Sequence, residues 1–115
     1  MPFLLLIVEP EGQRRARSPA EGGARYASMV DYTARLKDRG VLMASSSLRE
    51  DAVRLNIEAG RQRVLDGPFA ESKELIGGFF LLRCDTREQA LAFAGECPAA
   101  GWASIEVRET GPCSE

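Results

Sequence analysis

The sequence has no histidine among its 115 residues. Imidazole is the usual base beside a catalytic serine or cysteine and the commonest metal ligand. Its absence excludes Ser-His and Cys-His catalysis and any histidine-ligated metal site. Acid–base chemistry in this chain must therefore use carboxylates, tyrosines or lysine.

Cysteine is also scarce, with Cys84, Cys97 and Cys113 widely spaced and odd in number. This pattern indicates neither a disulfide framework nor a zinc site, so Cys84 and Cys97 are expected in the core. No metal or organic cofactor is predicted. A metal held by oxygen ligands at Asp66, Glu71 or Glu74 is the one alternative left open.

Excess positive charge is missing too, since the formal net charge is −2. Nucleic-acid binders usually carry a basic face, so no nucleic-acid partner is expected. Arg14, Arg15 and Arg17 form a short basic run, which we interpret as solvated loop surface, with an anionic partner as the alternative. The apolar run Phe3 to Val8 lacks a basic flank and is too short to cross a bilayer. A cytoplasmic protein without a membrane partner is the expectation.

A chain of this length, 44% hydrophobic and 28% charged, predicts one globular domain. We place it at residues 1–110, with residues 111–115 as a loose tail. The predicted order is strand, helix, strand, hairpin, strand, helix, strand. The predicted elements are a strand at 3–8, a loop at 9–17, a helix from Ser18 to Gly40, a strand at 41–44, a hairpin at 53–65 whose first strand is half-buried, a strand at 79–84, a helix capped by either Asp85 or Thr86 that stops at Pro98, and a strand at 103–107.

This order predicts an α+β ferredoxin-like sandwich with an inserted β-hairpin. Two helices cover one face of such a sheet, yet Phe3 to Val8 and Phe79 to Leu82 are apolar on both sides. The second face therefore requires another partner. A second copy of the chain is the simplest one, and a homodimer is expected.

The most specific stretch is Val64 to Leu82. Asp66-Gly67-Pro68 predicts a turn, in which Asp bonds local backbone, Gly permits positive φ and Pro fixes φ. Phe69 is an apolar anchor at the turn exit, and Glu71, Lys73 and Glu74 are a charged segment. Gly77-Gly78 directly before an apolar strand predicts a bulge or a close approach by backbone or ligand.

The run DGPFAESKELIGGFFLL resembles the YCII-related family, specifically its Asp-Gly-Pro-Phe (DGPF) branch. The resemblance covers nearly the whole chain and implies a dimeric α/β barrel in which two sheets face each other. Some members of this family look like lyases acting on small chlorinated or hydroxylated aromatic compounds, with a histidine–aspartate pair. This sequence has no histidine, so the resemblance does not transfer that activity.

Asp66 is the candidate catalytic residue, because a carboxylate held beside Phe69 would acquire a raised pKa suited to proton transfer. The alternative is that Asp66 only bonds the backbone of the turn. A pocket between sheet and helices is predicted from the residues that follow the turn, from the serine run after the second strand and from the first helix. The predicted pocket-lining residues are Gly67, Pro68, Phe69, Glu71, Lys73, Gly77, Gly78, Ser45 and Tyr26.

Three functions are compatible with these residues. The first is a homodimeric module that binds a small molecule, because the loop is specific while catalytic groups are few. The second is a histidine-free lyase or isomerase that uses Asp66 as general acid or base. The third is a non-catalytic accessory or interaction dimer linked to transcription regulation.

Overall fold

The computed structural model describes residues 1–67, 69 and 73–114. Apart from two additional short helices, the elements in this part of the chain follow the predicted order. They are β1 (Phe3–Pro10), α1 (Gln13–Ala16), α2 (Pro19–Asp38), β2 (Leu42–Ser47), β3 (Val53–Glu58), β4 (Arg61–Asp66), β5 (Glu74–Leu82), α3 (Arg87–Glu96), a 3-10 helix (Pro98–Gly101) and β6 (Ser104–Glu109).

Four strands form one antiparallel sheet in the order β2-β5-β1-β6, and β3 pairs with β4 as a separate hairpin. The fold is thus a mixed α+β sandwich with an inserted hairpin, as predicted. Both long helices lie on one face of the sheet. Their buried residues Tyr32, Leu36, Ala90 and Ala94 belong to the same core cluster as Leu5 and Leu82.

The helix starts are set by local chemistry. Ser18 is the N-cap of α2, where its Oγ accepts a hydrogen bond from the Glu21 amide and Pro19 occupies the first helical position. Thr86, not Asp85, is the N-cap of α3, because its hydroxyl accepts from the Gln89 amide at 3.2 Å. The capping predictions at Ser18 and at the second of the two α3 alternatives are confirmed.

The prediction of a loop at residues 9–17 is wrong, because β1 continues to Pro10 and α1 follows. Gly12, with φ of 83°, makes the turn between them. Long-range side-chain contacts then fix this short helix, whose composition alone has no helical periodicity. Gln13 Nε2 donates to the Trp102 carbonyl at 2.6 Å, and Arg14 Nη1 donates to the Leu48 carbonyl at 2.8 Å.

The apolar stripe of α2 is rotated relative to the prediction. Tyr32 is 1% exposed and donates from its hydroxyl to the Phe93 carbonyl at 2.7 Å, whereas Tyr26 is 69% exposed. The helical spacing of Tyr26, Met29 and Val30 in the sequence predicts that Tyr26 is a core residue and that Tyr32 lies near the serines or solvent. This prediction is wrong for both tyrosines. The buried stripe is centred on Tyr32 and Leu36, which both belong to the core cluster, and the Tyr32 ring meets the Phe80 ring edge to face.

The hairpin β3–β4 is exposed along its whole length, so the prediction of a half-buried strand is wrong for the single chain. Ala59 and Gly60 connect its strands with φ of 52° and 77°, the combination of a tight type I′ turn. Its apolar side chains Val53, Leu55, Ile57 and Val64 share one face and are more than half exposed.

The two faces of the main sheet differ in burial. Along β1 the inward residues Phe3, Leu5 and Ile7 are buried, while the alternating residues Leu4, Leu6 and Val8 are only partly buried. Within one chain, β1 is therefore covered on one face, as expected for a sheet with both long helices on the same side. We define the outer sheet face as the side that carries Leu4, Leu6, Val8, Ile76, Phe79 and Leu81.

Among the described residues, no helix has the length and apolar character that crossing a membrane requires.

Candidate functional site

An open cleft of about 550 Å³ lies between α2 and the inner face of the sheet. We call it the α2 cleft. Its floor comes from β1, β2 and β5, and its opposite wall is one side of α2. The apolar part of the lining is Ile7, Met29, Val30, Phe80, Ala99 and Trp102, and the charged part is Glu9, Arg14, Arg17, Arg25 and Lys37.

Glu9 is the buried charged residue of the described chain, at 4% exposure. It follows Phe3, Leu5 and Ile7 in the inward register of β1, so the strand itself directs its side chain under α2. Glu9 Oε1 lies 2.6 Å from Arg14 Nε. The same oxygen has no aligned hydrogen bond within the described residues, so the contact is an ion pair.

Arg14 fixes this corner of the cleft. Besides Glu9, its guanidinium donates to the carbonyls of Leu48 and Gly77, at 2.8 and 3.1 Å. These contacts connect α1 to β1, to the end of β2 and to β5. Arg14 is therefore fully engaged by the protein, and its main effect is to hold the Glu9 carboxylate at the cleft.

Gly77 and Gly78 make room for this arrangement. Gly77 is the extra residue of a bulge in β5, since Ile7 pairs with Gly78 and Val8 with Ile76. A Cβ on Gly77 would lie 2.6 Å from Glu9 Oε2 and 2.7 Å from Arg14 Nη2. A Cβ on Gly78 would lie 3.0 Å from the Ser46 carbonyl oxygen. The structure therefore has both the bulge and the close approach that the double glycine predicts.

The three serines continue β2 instead of leaving the sheet. Ser45, Ser46 and Ser47 pair with Phe80, Phe79 and Gly78 and line the cleft. Tyr26 lines the cleft from α2, at its exposed rim. Four of the predicted pocket residues, Ser45, Tyr26, Gly77 and Gly78, are thus brought together here.

The turn at Asp66 does not lie at the α2 cleft. Asp66 is exposed at the end of β4, and neither it, Gly67, Phe69 nor Lys73 lines the α2 cleft. Gly67 does not use the positive φ expected of it. Its amide instead donates to the Ala52 carbonyl at 2.8 Å, and a Cβ would lie 3.1 Å from that oxygen.

Phe69 is half-buried in this separate region, with the Arg54 guanidinium 3.7 Å from its ring centre. The remaining predicted residues of the stretch, Pro68 and Glu71, lie outside the described residues. The catalytic role of Asp66 stays a prediction.

Sequence reasoning missed Glu9 and the cations of α2, and its interpretation of Arg14 as solvated loop surface is wrong. For Glu9 a signal existed, because the alternation of β1 places it on the same side as Ile7. For the contacts of Arg14 there was none, since its partners are up to 63 residues away in the chain.

Burial changes the acidity of three groups in the core. Desolvation raises the pKa of the Tyr32 hydroxyl well above its ordinary value, and Cys97 and Glu96 act in the same direction. Desolvation likewise raises the pKa of the Cys84 and Cys97 thiols. All three remain protonated near neutral pH and are structural, not nucleophilic, groups. No cluster of three potential metal-ligating side chains occurs in the described part of the chain.

One solved structure resembles this chain over 99% of its length and 97% of its own, with a TM-score of 0.57 and 17% identity. It is 5-chloro-2-hydroxyhydroquinone dehydrochlorinase from Burkholderia phenoliruptrix AC1100, in complex with 2,5-dihydroxybenzoquinone. At this identity the likeness shows a shared fold.

A curated relative, an uncharacterised protein of Rhizobium meliloti (strain 1021), is 44% identical over 61 residues. The match covers 50% of this chain and 48% of the relative, so the chain spans about half the length of that protein. The model of the YCII-related domain matches residues 1–113. The chain belongs to the YCII-related family.

Proposed function

We propose that this protein is a homodimeric module that binds a small organic molecule in the α2 cleft. The observation that carries the proposal is the cleft itself, about 550 Å³ in volume, with apolar walls and a few fixed polar groups. Small-molecule sites commonly have volumes of roughly 300–1,000 Å³ and this mixture of lining groups. The buried Glu9 carboxylate, fixed by Arg14, gives the cleft an acceptor of defined position.

The structural neighbour supports a ring compound as the kind of ligand. That protein, which has this fold, is in complex with a hydroxylated quinone. In the present chain, Phe80, Met29 and Trp102 give the cleft lining apolar and aromatic groups that suit a ring compound. Serines on β2 offer hydroxyl groups along the floor.

The homodimer is supported by the outer sheet face. Leu6 pairs with Phe79 on one side and Glu106 on the other, and Leu4 pairs with Leu81 and Arg108. An apolar centre thus lies beside a polar edge strand, which is the arrangement of a protein interface. Both long helices are on the opposite face. A second copy, related by a two-fold axis, would cover this surface with an identical one, giving the facing sheets of a dimeric α/β barrel.

Binding is tested by ¹H–¹⁵N correlation spectra recorded with a set of one- and two-ring aromatic compounds. We expect amides of Met29, Ser46 and Gly78 to shift, and those of the β3–β4 hairpin to stay unchanged. Val30→Trp should abolish the shifts by filling the cleft, whereas Val53→Trp on the exposed hairpin is the matched control. Shifts that persist in Val30→Trp, or that no compound produces, contradict the proposal.

A second candidate is a histidine-free lyase or isomerase. The observation that favours it is Glu9, a buried carboxylate in the cleft whose Oε1 forms an ion pair with Arg14 but makes no aligned hydrogen bond within the described residues. A carboxylate in this setting is suited to removing a proton from a bound ring. The candidate therefore moves the acid–base role from Asp66 to Glu9.

Chloride release from 5-chloro-2-hydroxyhydroquinone, the compound in the neighbour's name, tests this candidate. If Glu9 is the acid–base residue, the wild-type protein and Asp66→Asn release chloride, and Glu9→Gln does not. Thermal unfolding of each variant separates lost activity from lost folding. Absence of release by folded wild-type protein removes this reaction, and loss only in Asp66→Asn returns the role to Asp66.

A further inference from the structure

We propose that the ligand of the α2 cleft carries an acidic group, a carboxylate or a phosphate, which binds Arg25 with support from Arg17 and Lys37. This inference rests on the proposed function and specifies the chemical class of its ligand. It comes from the charges of the cleft, which differ from those of the whole chain.

The described lining of the cleft has four cationic side chains and one carboxylate, Glu9. The full chain is the reverse, with 17 acidic against 15 basic residues. Arg14 is occupied by Glu9 and two carbonyl oxygens. Arg17, Arg25 and Lys37 have no carboxylate within 4.0 Å among the described residues. Their charge is therefore available to a ligand.

Other arginines in and just after α2 do have acidic partners, so the lack of such a partner is not a general property of the helix. Arg35 lies 3.3 Å from Asp31, and Arg39 lies 2.8 Å from Glu96. Both pairs are outside the cleft lining. Within this segment, the cations directed to solvent have acidic partners, while those at the cleft have none in the described chain.

Arg25 is the most specific of the three cations. Its guanidinium lies over the Trp102 ring, 4.9 Å from the centroid, and its Nη1 is buried without a hydrogen-bond partner in the part of the chain that the structure describes. A buried guanidinium nitrogen without an acceptor is unfavourable. An anionic oxygen from a ligand would supply that acceptor.

Trp102 holds this arrangement in place. Its carbonyl accepts from Gln13 Nε2 at 2.6 Å, and its amide donates to the Ala99 carbonyl at 3.0 Å. The ring therefore forms a fixed apolar wall next to the cation. A ligand with a flat apolar body and one acidic group would contact both.

The experiment compares three probes that share a naphthalene body: 2-naphthoate, 2-naphthyl phosphate and the neutral 2-naphthamide. Titration calorimetry measures the affinity of each probe, and ¹H–¹⁵N spectra identify the residues at which it binds. We expect at least one of the anions to bind about tenfold or more tightly than the amide, as expected for one charge-assisted hydrogen bond. The comparison between carboxylate and phosphate identifies the acidic group.

Arg25→Gln and Lys37→Gln test the residues. Each should weaken anion binding about three- to tenfold or more and weaken amide binding less. Arg87→Gln at the exposed start of α3 removes the same charge away from the cleft and should have no effect. Lys37 is itself exposed, so its variant keeps the test valid if Arg25→Gln does not fold.

The outcomes separate the two proposals. Equal binding of anion and amide in the cleft overturns the acidic-ligand inference and leaves the proposed function in place. Anion binding that Arg87→Gln weakens as much as Arg25→Gln also overturns it. Binding of none of the three probes contradicts both.

Discussion

Gly77 shows how a single residue positions the charged corner of the cleft. Glu9 Oε2 and Arg14 Nη2 occupy the space where a Cβ at this position would lie, so glycine fits here without a displacement. Gly77→Ala must displace this ion pair. We expect a loss of about 1–3 kcal/mol in the free energy of unfolding, the usual effect of disturbing a buried charged contact. Urea unfolding measures it.

Gly23→Ala is the matched control for Gly77→Ala. Gly23 lies inside α2, and a Cβ added there would meet no atom from outside its own helical turn within 4 Å. Here alanine should stabilise the protein by about 0.5–1 kcal/mol, because it favours the helix. Equal effects at both positions would contradict the role assigned to Gly77.

Tyr32 gives a second prediction at this scale. Tyr32→Phe removes the hydrogen bond to the Phe93 carbonyl and should cost about 1 kcal/mol. Tyr26→Phe, at an exposed position, should be neutral. Thermal unfolding of both variants at neutral pH makes the comparison.

The raised pKa of Tyr32 adds a pH dependence. Above pH 10 the unfolded chain ionises this tyrosine while the folded protein keeps its proton, so stability falls as the pH rises. Below pH 10 both states are protonated and the group has no effect. Tyr32→Phe should therefore lose less stability than the wild-type protein between neutral pH and about pH 11. Parallel curves would contradict this assignment.

At the scale of elements, the sequence predicted what depends on local patterns. The positions of β1 and β3, the caps at Ser18 and Thr86, and the stop of α3 before Pro98 all depend on neighbouring residues. The sequence did not predict features of elements that depend on contacts between segments far apart in the chain. The rotation of α2 follows from Tyr32 meeting Phe93, 61 residues later, and α1 exists because Gln13 and Arg14 reach Trp102 and Gly77.

The candidate site shows the same limit. Gly77, Gly78, Ser45 and Tyr26 were predicted to line a pocket, and the structure places all four in the α2 cleft. Asp66 was favoured because its motif is conspicuous, yet the fold carries it away on the hairpin. The cations at the cleft come from α1 with its C-cap and from α2, and a single sequence contains no signal for their convergence.

The β3–β4 hairpin leads to an element-scale prediction. Its strands pair only with each other, and their side chains are exposed throughout. A two-stranded hairpin is marginally stable in water by itself. Its amides should exchange with deuterium much faster than those of β1 and β5. Protection of Leu55 and Val64 equal to that of Leu5 would mean that another surface covers the hairpin.

At the scale of the whole molecule, the outer sheet face is an apolar surface that the two long helices of the chain leave uncovered. Leu6 lies near its centre, opposite Phe79 and Glu106. If a second copy covers this face, the protein sediments at twice the 12.6 kDa of the chain at micromolar concentration. Leu6→Lys should then give monomers, because a buried lysine facing an apolar surface is strongly unfavourable.

The substituted lysine lies beside Glu106 within its own sheet, so the monomer itself should keep its fold, which circular dichroism can verify. Leu91→Lys on the exposed side of α3 is the matched control and should remain dimeric. A wild-type protein that sediments at the mass of a single chain would show that the outer sheet face does not form the interface. In that case the α2 cleft must bind its ligand within one chain.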